Sequence, residues 1–142
     1  MKIKSLLVAG VAVAGLFAGA AFADVFMKGE DVAKLIVGKT IEGQYFKCEA
    51  TAGAGRQDFA EFYDPSGRIR GHERPCSQAG SWHNYGGSWE VKNGKFCVNL
   101  GSGRSNGCFD YNVDKDGTLR RFNDKGATDL TFKIYDGNPD HL

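Results

Sequence analysis

The chain has no surplus of charge of either sign. Its 18 Lys and Arg stand against 17 Asp and Glu, a formal net charge of +1 at pH 7. That balance argues against a nucleic acid or an anionic membrane as partner. Histidine is scarce, with three in 142 residues, and His72, His83 and His141 fall at spacings that match no zinc motif. There is no heptad pattern, no linker and no convincing internal repeat. Ser81, Ser88 and Ser105 lack the turn context of an activated nucleophile. Gly38-Lys39-Thr40 has the letters that end a phosphate-binding loop, but the required earlier glycine is missing and no strand precedes it. Asp58 and Glu61 form an imaginable acid–base pair, yet among 17 carboxylates they read as exposed charge. No cofactor is indicated, and the sequence is read as that of a non-enzymatic protein.

The N-terminus has what a secretory signal peptide needs. Lys2 and Lys4 precede an apolar run from Leu6 to Phe17, and Ala21-Phe22-Ala23 places small residues where a signal peptidase inspects them. Residues 1–23 are therefore expected to be removed, leaving residues 24–142 as one exported domain of 119 residues, soluble in a periplasm and not held in the membrane. Losing Lys2 and Lys4 would leave 16 basic side chains against 17 acidic, a net charge of −1. An even number of cysteines, four, suits two disulfides in an oxidising compartment. Of the three possible connectivities, Cys97–Cys108 with Cys48–Cys76 is preferred.

The preference for Cys97–Cys108 rests on strand register. Asn93-Gly94 is a strong signal for a type I′ hairpin turn, since both residues tolerate positive φ. Phe96, Val98 and Leu100 alternate with Cys97 and Asn99, and Phe109, Tyr111 and Val113 alternate with Cys108 and Asp110. A second hairpin centred between Ser102 and Gly103 sets Cys97 opposite Cys108. Similar short alternating runs, each bounded by turn residues, recur at Thr40–Cys48, Asp58–Tyr63, Arg68–His72, Thr118–Phe122 and Asp129–Tyr135. About eight short strands so spaced imply an all-β fold, a barrel or a sandwich, and a small antiparallel barrel of calycin-like form is preferred. Glu30–Val37, with Val32, Leu35 and Ile36 on one face, predicts a single short helix that packs on the sheet or plugs one end. Phe96, Val98, Leu100, Phe109, Tyr111, Leu130, Phe132 and Ile134 are the expected core.

Glu73–Gly87 reads as the least regular segment, and irregular loops on a rigid sheet are where binding groups gather. Arg70, Arg74, Trp82, His83 and Tyr85 are accordingly the candidate binding residues, for a protein or a small amphipathic ligand taken by a monomer. Trp89, on a strand, is assigned to the core. The alternative is a metal-dependent protein or enzyme using His72, Glu73 and His83. Asn112, Asp114, Asp116 and Gly117 occupy the opening positions of a calcium loop. The twelfth position holds Asn123 in place of a bidentate glutamate, so a plain turn accounts for them.

The order GKTIEG, EFYDPSGRIRG, GSWEVKNGKFC, CFDYNVDKDGTLRRFNDKG and a closing GNP resembles a domain-of-unknown-function family of small exported proteobacterial proteins. More loosely, the Gly-x-Trp opening of a strand followed by a strand cysteine is similar to the periplasmic metalloprotease inhibitors, which are eight-stranded barrels with a disulfide. That likeness implies inhibition through a free N-terminal segment, here Asp24–Gly29. The chain departs from those inhibitors in its four cysteines and its different N-terminal lead. The expected function is that of a disulfide-stabilised binding or envelope-support module, with protease inhibition as its most concrete variant.

Overall fold

Hairpin follows hairpin until the last strand returns to the first. The computed structural model describes residues 25–45, 58–74 and 81–142. Its elements are a helix α1 (Gly29–Ile36) and strands β1 (Lys39–Tyr45), β2 (Phe59–Tyr63), β3 (Arg68–Glu73), β4 (His83–Lys92), β5 (Lys95–Asn99), β6 (Asn106–Val113), β7 (Leu119–Phe122) and β8 (Thr128–Asp136). Each strand pairs antiparallel with the next, and β8 pairs with β1 from Lys39↔Asp136 to Tyr45↔Leu130, closing the barrel. Closure leaves no strand edge for another chain to extend. The signal peptide read in residues 1–23, and Cys48 and Cys76, lie outside the described residues.

The turns follow from local chemistry. Asn93 and Gly94 have φ of 51° and 73°, the left-handed pair of a type I′ turn. The β2–β3 turn is pinned where Asp64 Oδ1 accepts the Ser66 N–H at 2.8 Å, and the β7–β8 turn where Asn123 Oδ1 accepts the Lys125 N–H at 3.0 Å. Across the β5–β6 hairpin Cys97 stands directly opposite Cys108, and the two are disulfide-bonded with Cα atoms 3.9 Å apart.

In an up-and-down barrel the loops alternate between two ends. The β2–β3, β4–β5 and β6–β7 turns share one end, and α1 closes it. Gly29 donates its N–H to the Gly94 carbonyl at 2.8 Å, and Gly38 donates to Tyr63 at 2.7 Å. A Cβ on Gly29 would come within 2.4 Å of the Lys95 carbonyl carbon, so only glycine lets the helix start this close. Glu30 and Asp31 in the first turn suit the positive end of the helix dipole. Val32 and Ile36 point into the barrel and are fully buried. There they meet Phe96, whose ring stacks on Trp89 at 5.6 Å and contacts Tyr63 and Tyr111 at 5.8 and 6.0 Å.

Phe96, Val98, Leu100, Tyr111 and Phe132 are buried as the alternation implies, with Phe109, Leu130 and Ile134 partly buried against the same core. One segment departs from expectation. His83–Gly87 is the opening half of β4, paired from Glu73↔His83 to Ile69↔Gly87, and not part of an irregular loop. Its two glycines read as loop signals, but Gly87 serves close packing. A Cβ on Gly87 would meet the Asn99 carbonyl oxygen at 2.3 Å.

Candidate functional site: a polar pocket inside the barrel

A cavity of about 480 Å³ runs from Ile36, at the helix, to Gly103, Arg104 and Ser105 of the β5–β6 loop at the other end. Eight strands enclose an interior just wide enough either to be filled by side chains or to hold one small ligand. Here aromatic rings pack beneath α1, and the cavity lies beside them.

The cavity is built around one carboxylate. On β2 the period of two sends Phe59, Glu61 and Tyr63 inward. Glu61 is 5% exposed, and each of its oxygens accepts a tyrosine hydroxyl. Tyr63 donates to Oε2 at 2.7 Å, and Tyr85, from β4, donates to Oε1 at 2.6 Å. Tyr85 reaches Glu61 because the residue between them is glycine. Glu61 pairs with Gly71 and Gly71 pairs with Tyr85, so the Tyr85 ring lies across β3 where a side chain would otherwise stand. A Cβ on Gly71 would meet that ring at 2.6 Å.

Two arginines complete the polar lining. Arg121 on β7 is 7% exposed and grips Asp129 at two points, Nε to Oδ1 and Nη2 to Oδ2, both at 3.0 Å. Its guanidinium lies 4.1 Å from the Phe109 ring centroid. Arg104 from the β5–β6 loop lies 4.6 Å over the Tyr85 ring and pairs with Glu73 on β3.

Burial sets the protonation of these groups. Glu61 binds its proton more firmly than an exposed glutamate, chiefly by desolvation, with the charge of Glu73 adding to the effect. The hydroxyls of Tyr85 and Tyr63 and the charge of Arg121 oppose it. Tyr63 and Tyr111 are pushed up, first by desolvation, so both keep their protons at neutral pH. Desolvation works against the charge on Arg121, but the Asp129 hydrogen bonds and the nearby Tyr111 outweigh it and hold the guanidinium charged.

The five candidate binding residues are distributed over three places. Tyr85 alone lines the cavity. Trp82 and Arg74 form a small patch on the outside of the rim, where the indole lies 4.1 Å from the His72 ring and 4.6 Å from the Arg74 guanidinium. Trp82 is 37% exposed. Arg70 lies on the outer wall, over the Phe62 ring at 5.1 Å and 3.5 Å from Asp64. His83, exposed, is the first residue of β4. Glu73 and His83 are register partners on β3 and β4, but His72 faces the other side of the sheet, since Glu73 lines the cavity while His72 stacks on Trp82 outside. Among the described residues, no group of three or more His, Cys, Asp or Glu is placed to hold a metal ion.

Asp58 and Glu61, read as exposed charge, are both buried. For Glu61 the signal was present: the alternation of DFAEFY puts it in register with Phe59 and Tyr63, a charged residue in an apolar row. Arg121 was hidden by its neighbour Arg120, which faces outward and pairs with Asp114 at 2.7 Å. Comparisons with protein-family models, with curated proteins and with solved structures find no match.

Proposed function

We propose that this chain is a non-enzymatic binding protein that takes one small amphipathic molecule into its barrel, in the exported setting its N-terminal sequence implies. The observation that carries this reading is the cavity of about 480 Å³ with the buried, doubly hydrogen-bonded Glu61 in its lining. Its size falls in the ligand-pocket range of about 300–1,000 Å³. Its lining has the composition of such pockets, apolar walls from Phe59, Val98, Leu119 and Phe132 with a few polar groups held in place. The polar groups are positioned by strands and by one another, which is how a site is kept in shape before its ligand arrives. None of them forms a nucleophile–base pair.

A neutral fluorescent apolar probe such as N-phenyl-1-naphthylamine tests the reading. Saturable one-to-one binding is expected, and Val98→Trp, which fills the cavity, should abolish it while circular dichroism stays unchanged. Binding that survives the filled cavity would locate the probe elsewhere and remove the reading.

A second reading rests on Trp82. An exposed indole flanked by an imidazole and a guanidinium has the makeup of a protein-contact anchor, so a partner could dock on the outer rim. Protease inhibition through a free N-terminal segment is less well supported. The Met27 N–H is bonded to the Tyr111 carbonyl at 2.8 Å, and Phe26 packs 5.0 Å from the Phe122 ring.

A further inference from the structure

Among the described residues that line the cavity, Glu61 is a buried carboxylate without an ion pair, and the charge of Arg121 acts on it only from beyond ion-pair distance. Arg121 is matched by Asp129 through two hydrogen bonds, and Arg104 is matched by Glu73. Glu61 takes two hydroxyls. Hydroxyls satisfy a carboxylate's hydrogen bonding in part but carry no charge to set against it. Among the described residues no Lys, Arg or His forms an ion pair with Glu61. A carboxylate has about four lone-pair positions, and two remain open here.

We propose that the ligand is an amphipathic cation, an amine whose ammonium group sits on Glu61 and whose apolar part lies among the aromatic rings of the cavity. The inference rests on the binding-protein reading above. An anionic ligand would have to displace Asp129 from a two-point grip, or Glu73 from Arg104. A neutral ligand would leave a buried carboxylate either unmatched or protonated. A cation removes that cost, because a buried charge is tolerated when it is paired and hydrogen-bonded. The walls favour it as well. Phe59, Tyr63, Tyr85, Tyr111 and Phe132 line the same space, and aromatic faces attract an ammonium group most strongly where water is excluded.

Binding is then coupled to a proton. Burial strengthens the hold of Glu61 on a proton, and an incoming ammonium weakens it. Where Glu61 carries a proton, that proton leaves for solvent as the ion pair forms, and no other bond changes. The groups that bear on this step are Tyr63 on β2, Glu73 on β3, Tyr85 on β4, Tyr111 on β6, Arg121 on β7 and Asp129 on β8. Arg104 of the β5–β6 loop lines the same space, and among the described side chains the inward residues of β1 and β5 beside it are Ile41, Gly43, Phe96 and Val98, which do not titrate. Affinity for an amine should rise with pH through the titration of Glu61 and then level off.

The test compares three probes of one size on the full chain by calorimetry: 2-phenylethylamine, 2-phenylethanol and 3-phenylpropionate. The amine should bind at least about tenfold more tightly than the alcohol, the scale of one charge-assisted hydrogen bond. The carboxylate should bind most weakly. Running the amine titration over a series of pH values, each in two buffers of different ionisation enthalpy, should reveal proton release that fades as pH rises through the titration of Glu61. Glu61→Gln should bring amine and alcohol affinities together. The wild-type comparison needs no variant, so the proposal stands or falls even if Glu61→Gln does not fold. Equal or tighter binding of the alcohol or the carboxylate overturns the proposal and leaves a binding cavity of other preference. Failure of all three probes, together with failure of the neutral fluorescent probe, overturns the proposal and the binding reading with it.

Discussion

The hydroxyl of Tyr85 donates to Glu61 Oε1 at 2.6 Å across the bare backbone of Gly71. The three residues sit side by side on β4, β3 and β2, and the middle one must lack a side chain for the outer two to touch. Gly71→Ala places a methyl group 2.6 Å from the Tyr85 ring. We expect a loss of about 1–3 kcal/mol from overpacking, read by chemical denaturation. Tyr85→Phe removes only the hydroxyl and should cost about 1–3 kcal/mol by leaving a buried carboxylate short of a donor. Combined, the two changes should cost less than their sum, because each breaks the same contact. Strict additivity would mean that Gly71 does not serve the Tyr85–Glu61 bond.

Glu61 should leave a signature in the pH dependence of stability. Its proton is held more firmly in the folded chain than in the unfolded one, first through desolvation. Between the unfolded value, about 4.3, and the higher folded value, the native state binds more protons. The contribution of Glu61 is therefore fully present below the unfolded value and lost as pH rises through the folded one. Glu42 shifts in the same direction, through desolvation and then Asp140, so the observable is the difference between wild type and Glu61→Gln. Relative to the variant, the wild type should lose melting temperature from pH 4.5 upward. A difference that stays flat, or grows with pH, would show Glu61 to be ionised without penalty.

Cys97 and Cys108 close a loop with a sequence separation of 11. In the chain-entropy model such a closure stabilises by about 3 kcal/mol. The double variant Cys97→Ala/Cys108→Ala should lose about that much while keeping its circular dichroism spectrum. The double variant confines the change to this pair of cysteines.

The two tryptophans should behave oppositely. Trp89 stacks on Phe96 and donates its indole N–H to the Asp64 carbonyl at 2.9 Å. Trp89→Ala should cost about 3–5 kcal/mol, the range for large aromatic truncations. Trp82 is partly exposed, so Trp82→Ala should cost about 1 kcal/mol or less and remove most of the fluorescence that acrylamide quenches. If Trp82→Ala proved the more damaging, the outer rim would be structural and the docking reading would lose its anchor.

Much of the barrel was legible in the sequence because its signals are local. Asn93-Gly94 specified a turn through the φ values those residues tolerate, and period-two alternation then brought Cys97 opposite Cys108 and turned Phe96, Val98 and Tyr111 inward. The same alternation placed Glu61 in line with Phe59 and Tyr63, although composition argued for an exposed charge. What no local pattern contains is the neighbour across the sheet. Gly71 reads as a weak point in β3 until Tyr85, 14 residues later, is seen lying over it. Asp129 is likewise an ordinary strand-end carboxylate until β7 and β8 pair and bring it to Arg121. The pairing of Arg121 with Asp129 and of Arg104 with Glu73, and so the setting of Glu61 between two hydroxyls, exists only once the barrel closes. Strand faces are set by the chain's own period, but which polar groups meet inside is set by register and curvature over distances that period does not encode.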